Sequence, residues 1–259
     1  MSASEVIRTA GASADIPVVY LDNHLLVVEK PSGLLVQEDV TGDLDLLTLG
    51  KAWLKKRFEK PGNVFLALVQ RLDRPVSGLM ILARTSKAAA RLGAQISDRL
   101  VVKRYCALVE GRMLGEGTLE DWVRKQGKQP RIVHKELPGS TRAELSWRSV
   151  AEIGGRTLVD VDLRTGRPHQ IRLQLAAAGH PIVGDLKHGA TEVWNGRSIA
   201  LHCYALSVCH PTRDEDMTWT SIPSTWGVDW QAHIAELCQE VETNSMPSTA
   251  SGTHGSTTT

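Results

Sequence analysis

Aromatic residues are scarce in this chain: two Phe and three Tyr in 259 residues, with seven Trp scattered along it. Its core must therefore be aliphatic, and the Trp positions suggest no stacking platform. No stretch of about 18 apolar residues occurs, so no membrane span is expected. The first fifteen residues lack a basic flank followed by an apolar run, so no secretory signal is expected. Four cysteines, Cys106, Cys203, Cys209 and Cys238, form no CxxC pair. Free thiols in a cytoplasmic protein are the expectation.

Net charge is nearly absent too, at +1, but its distribution is uneven. Residues 1–50 carry −6, and residues 214–259 carry −7 with no Lys or Arg. The middle, 51–213, holds 28 basic against 14 acidic residues, a net +14. A basic body between acidic ends suits a polyanionic partner. It equally suits a solvated basic surface, and charge alone does not separate the two.

The length fits one domain with small appendages. Residues 1–15 and the Ser/Thr-rich tail 243–259 cannot bury a core and are expected to be disordered. Residues 16–242 then form the domain. Strands are expected at Val18 to Leu21, Leu25 to Glu29, Val64 to Val69 and Leu79 to Ala83. Others are expected at Val101 to Glu110, Glu144 to Val150, Leu158 to Leu163, Ile199 to Val208 and Met217 to Thr220. Helices are expected over Leu46 to Glu59, from Thr85 or Ser86 to Asp98, from Pro168 to Gly179, and over Trp230 to Val241. Strands and helices do not alternate regularly, so the class is α+β rather than doubly wound.

Between two of these apolar runs lies Gln70-Arg71-Leu72-Asp73-Arg74-Pro75-Val76-Ser77-Gly78. Pro75 and Gly78 force a turn, and a short loop over a rigid scaffold is where functional groups are often held. Arg71 and Arg74 flank the acid and could keep it ionised or contact phosphates. A turn carboxylate bonded to its own backbone is the plainer account of the same residues.

The loop resembles the motif of the RluA-type pseudouridine synthases, which reads His-Arg-Leu-Asp, two variable residues, Thr-Ser-Gly. Five further segments resemble that family in its own order: Leu21-Asp22 through Lys30-Pro31-Ser32-Gly33, Lys103 to Gly111, Thr165 to Arg172, His180 to Asp185, and Leu201-His202 through His210-Pro211. Six ordered segments over residues 18–223 are far more specific than one. Two positions depart from the pattern, with Gln70 in place of His and Val76 in place of Thr.

The resemblance implies a mixed, largely antiparallel central sheet with flanking helices and a central cleft. It implies isomerisation of uridine in ribosomal or transfer RNA, with Asp73 as catalytic carboxylate, Arg172 as its cation partner and Tyr105 stacking on the base. That reaction breaks C1′–N1, turns the uracil and joins C5 to C1′. It gains no atoms, so neither cofactor nor metal is expected. Arg71, Arg167 at the helix start and, more weakly, Lys30 are the expected RNA contacts. The first segment begins near Val18, so no separate RNA-binding domain is expected ahead of it. A monomer is the default.

Two alternatives share these residues: a catalytically silent RNA-binding module, and a metal-dependent hydrolase using Asp73. His169, His180, Asp185 and His188 are metal-ligand types, but without ligand spacing. His202 and Cys203 fall on opposite faces of a strand and cannot easily ligate together.

Overall fold

The computed structural model describes residues 5–8, 15–127, 129–133, 135–196 and 198–245. In chain order the elements are β1 (Val6–Ile7), β2 (Ile16–Leu21), β3 (Leu25–Lys30), α1 (Leu46–Arg57), β4 (Ala67–Leu68), β5 (Ser77–Ala83) and α2 (Ser86–Ser97). They continue with β6 (Val102–Glu110), β7 (Glu116–Gln126), β8 (Gln129–Val133), β9 (Ser140–Ile153), β10 (Arg156–Leu163) and α3 (Gln170–Ala177). A 3-10 turn (Leu186–His188), β11 (Leu201–Cys209), β12 (Asp216–Thr220) and α4 (Val228–Ser245) complete the chain. The fold is α+β, with one sheet ordered β1-β2-β3-β5-β11-β6-β10-β9-β7-β8. β4 pairs on β5 and β12 on β11. Every described pairing between these strands is antiparallel except β5 with β11. No described helix is long and apolar enough to cross a membrane.

The central strands are continuous apolar runs because both of their faces are covered. Leu25 to Val28, Leu79 to Ala83, Cys106 to Val109 and Tyr204 to Leu206 are all buried. α2 packs on β5, and α4 on β11 and β12. Two helices begin where their caps dictate. The Asp45 carboxylate accepts from Thr48 N at 3.0 Å, and the Thr85 hydroxyl accepts from Ala88 N at 3.1 Å.

The two sides of the sheet meet along a short seam. β5 runs parallel to the start of β11 for two register pairs, His202 with Ser77 and Cys203 with Gly78. Gly78 has φ +119°, and a Cβ there would lie 2.4 Å from the Cys203 backbone N and O. Ser77 Oγ lies 2.8 Å from His202 Nδ1, whose other ring nitrogen is 3.2 Å from Ser221 Oγ. Burial pushes His202 down to about 3, so this ring is a neutral strut. Gly78→Ala is expected to cost about 3 kcal/mol, from a strained φ and a backbone clash together. Urea unfolding measures it, and a loss below about 1 kcal/mol would show that the seam yields.

Several expectations need correction. Val64 to Val69 is not one buried strand. Only Ala67–Leu68 pair, and Phe65 is 48% exposed. Residues 1–15 are not wholly unstructured, because β1 pairs with β2 through Val6–Pro17 and Ile7–Ile16 and buries Ile7. α4 runs to Ser245, past the expected start of the tail. The remaining expected disorder, at 1–4, 9–14 and 246–259, lies outside the described residues. β7 and β8 are additions. Val123 is the single buried residue of β7, so no apolar alternation marks this edge hairpin.

Candidate active site

The loop carrying Asp73 is tied down by the turn that follows β3. Gly33 N donates to Arg74 O at 2.7 Å, and Arg74 Nε donates to Gly33 O at 2.9 Å. Lys30 Nζ donates to the carbonyls of Pro31, Leu34 and Arg74 at 2.8, 3.0 and 3.3 Å. Val76 N bonds back to Asp73 O at 3.0 Å and closes the turn. Lys30 is fully buried, so the expectation that it contacts RNA is corrected: its ammonium is consumed inside the protein. Burial pushes it down to about 7, against the attraction of Asp73.

Arg172 reaches Asp73 from α3. Its Nη1 donates to Asp73 Oδ2 at 2.8 Å. The rest of the guanidinium is held by Asp185, with Nε to Oδ2 at 2.6 Å and Nη2 to Oδ1 at 2.8 Å. Arg172 and Asp185 are 5% and 1% exposed. Burial opposes the charge on Arg172, but the two carboxylates outweigh it and raise its pKa above the ordinary value. A bidentate clamp of this kind fixes direction as well as charge.

A buried polar row sets the pose of α3. Thr165 Oγ1 donates to Gln170 Oε1 at 2.7 Å, and Gln170 Nε2 donates to Gln174 Oε1 at 3.0 Å. Gln174 Nε2 then donates to Asp121 Oδ2 on β7 at 2.8 Å. Helix rotation is thereby locked, and Arg172 with it. His169 precedes the helix in the left-handed conformation, φ 55°. Its Nε2 is 3.8 Å from Asp73 Oδ2 and its Nδ1 is 3.0 Å from His188 Nε2. Burial lowers both imidazoles, His188 to about 4, so the pair is neutral near pH 7.

Tyr105 comes from β6 and is 6% exposed. It stands opposite Cys203 in the β6–β11 register. Burial, then the Cys203 thiol and Asp73, push its phenol well above the usual value, so it stays protonated.

Asp73, Tyr105 and Arg172 thus converge from three elements on one small pocket of ≈ 90 Å³. Val76, Leu163, Ile171 and Leu201 give it apolar walls. It adjoins a cleft of ≈ 760 Å³, and Arg71 and Arg167 line both spaces. Gln70 lines that cleft too, and its Nε2 is buried with no hydrogen-bond partner among the described residues. Val76, the other departure, is 2% exposed and presents a methyl wall.

Asp185, His169 and His188 were given no role from sequence. Their signal is spatial, because each acts on a group at least 13 residues away. No described group of three or more His, Cys, Asp or Glu could hold a metal ion. Asp185 is occupied by Arg172, the two histidines face each other, and His169 also faces Asp73.

The RNA pseudouridylate synthase family matches residues 24–177, a span that includes Asp73, Tyr105 and Arg172. A ribosomal large subunit pseudouridine synthase D of Nitrosomonas europaea is 29% identical over 80% of this chain and 61% of its own length. The chain thus spans about three fifths of that relative. A tRNA pseudouridine synthase C of Yersinia pestis is 28% identical over 91% of this chain and 98% of its own. Among solved structures, human RNA pseudouridylate synthase domain containing 1 shares the fold, with TM-score 0.67 and 23% identity over 91% of this chain and 98% of that one.

Proposed function

Since the chain belongs to the RNA pseudouridylate synthase family, we propose that it converts selected uridines of ribosomal or transfer RNA to pseudouridine, with Asp73 as the reacting carboxylate. The observation that carries this reading is the meeting of Asp73, Arg172 and Tyr105 around one base-sized pocket. A uridine stacked in RNA cannot reach that pocket, so it must flip out. Asp73 then acts at the sugar, as nucleophile at C1′ or as base. The C1′–N1 bond breaks, the detached uracil turns against Tyr105, C5 joins C1′, the C5 proton passes to solvent, and N1 takes up a proton in its place.

Arg172 supplies the counter-charge that a carboxylate in a closed pocket needs. Tyr105, a neutral phenol, serves first as a stacking face, which tolerates a rotating ring. Arg71 and Arg167 hold backbone phosphates at the cleft mouth. The chemistry gains no atoms, so the chain works without metal or cofactor, as a cytoplasmic monomer.

The test is tritium release from C5-labelled uridine in ribosomal and transfer RNA, with a chelator present. Release from either fraction is the expected result. Binding without release would favour a silent RNA-binding protein, with Gln70 and Val76 as the suspects. Release that ceases with the chelator would favour metal chemistry.

A further inference from the structure

Two basic residues stand side by side on β6, and the strand sends them to opposite faces. Arg104 points to the interior face, where Asp160 takes it in an ion pair together with Arg148 and the Tyr204 hydroxyl. Lys103 points the other way, to the face that carries Tyr105 two residues on. There it lines the ≈ 760 Å³ cleft. Its Nζ lies 3.7 Å from where a Cβ on Gly166 would sit, against the Gly166–Arg167 turn.

Lys103 is half-buried, and its ammonium has no hydrogen bond or ion pair among the described residues. Desolvation lowers its pKa, partly offset by Cys203 and Asp162. Asp162 is itself paired with Arg164 at 3.0 Å. The cleft therefore gathers three cations without carboxylate partners, Arg71, Lys103 and Arg167. Its one lining carboxylate, Asp73, is held by Arg172. A half-desolvated ammonium with no anion is costly unless a ligand provides one.

We propose that Lys103 is an RNA-binding residue, holding a backbone phosphate next to the flipped uridine, with Arg71 and Arg167 as its neighbours in the cleft. This rests on the synthase reading above. With the base in the small pocket and C1′ at Asp73, the flanking phosphates must lie in the adjoining cleft, where Lys103 waits. A compact ammonium suits a phosphate oxygen, which needs no planar pairing. A backbone contact of this kind adds affinity without reading sequence.

The experiment compares parent, Lys103→Met and Lys103→Arg as full chains. Filter retention of bulk transfer RNA gives Kd across a salt series, and tritium release gives kcat and KM. Lys103→Met is expected to weaken binding about tenfold and to shrink the slope of log K against log salt by about 0.7–0.9, one phosphate contact. Lys103→Arg is expected to keep the parent slope. The melting temperature of Lys103→Met should stay level or rise, because an unpaired ammonium is removed.

An unchanged slope in Lys103→Met overturns the proposal. If kcat alone collapses, Lys103 handles a proton beside Tyr105 instead. If the melting temperature falls with no change of slope, it is a structural lysine. The slope is read on binding, so a parent that releases no tritium defeats the synthase reading while Lys103 is still decided.

Discussion

Replacing Asp73 with Asn is expected to leave a folded, RNA-binding protein whose tritium release falls by more than about 10⁴-fold. The size follows from the role: removing the group that attacks or deprotonates the sugar costs orders of magnitude more than loosening a contact. The fold should tolerate the change because the carboxylate is 30% exposed and its loop is held by backbone bonds. Arg172 keeps its bidentate hold on Asp185. Asp185 still neutralises the buried guanidinium and the Asn oxygen can still accept from it, so the loss of charge on one partner should cost about 1–2 kcal/mol. Circular dichroism, RNA retention and tritium release on one preparation separate the outcomes. Release within tenfold of the parent would remove Asp73 from the chemistry. Loss of the fold would instead make it the turn carboxylate that its local sequence also allows.

How much of this site was legible beforehand divides along one physical line. Asp73, Tyr105 and Arg172 stand 32 and 67 residues apart in the chain, and no periodicity connects them. Only the ordered resemblance did so, and the sheet then explains it, because the seam of β5, β11 and β6 brings the first two together. The apolar runs of β3, β5 and β10 were legible because both of their faces are covered, and sequence records burial. β7 and β8 were not legible, since a solvated hairpin is held by backbone pairing, which leaves no mark on side chains. Lys30 was misjudged for a similar reason. A lysine before Pro-Ser-Gly looks solvated, and only the folded turn reveals three carbonyls around its ammonium. Lys103 and Arg104 are the converse. Alternation alone sends them apart, but which face holds Asp160 and which the cleft is decided by the neighbours of β6.

The Arg172–Asp185 pair allows positioning and stability to be pulled apart. Arg172→Met removes the counter-charge of Asp73 and also leaves Asp185 buried with no cation. Breaking a buried pair from one side is expected to cost 3–5 kcal/mol, about the worst case for a single substitution. Activity should vanish, but that loss alone would be ambiguous, because a destabilised α3 would also misplace His169. The double variant Arg172→Met with Asp185→Leu resolves it. Both charges are gone, the site is apolar, and most of the lost stability should return, as buried pairs replaced by packed apolar groups often lose little. Turnover should not return, since Asp73 still lacks its partner. Urea midpoints and tritium release read the two effects separately. If the double variant regains activity with stability, Arg172 serves the fold rather than the carboxylate. If it regains neither, the clamp shapes the pocket in a way that packing cannot replace.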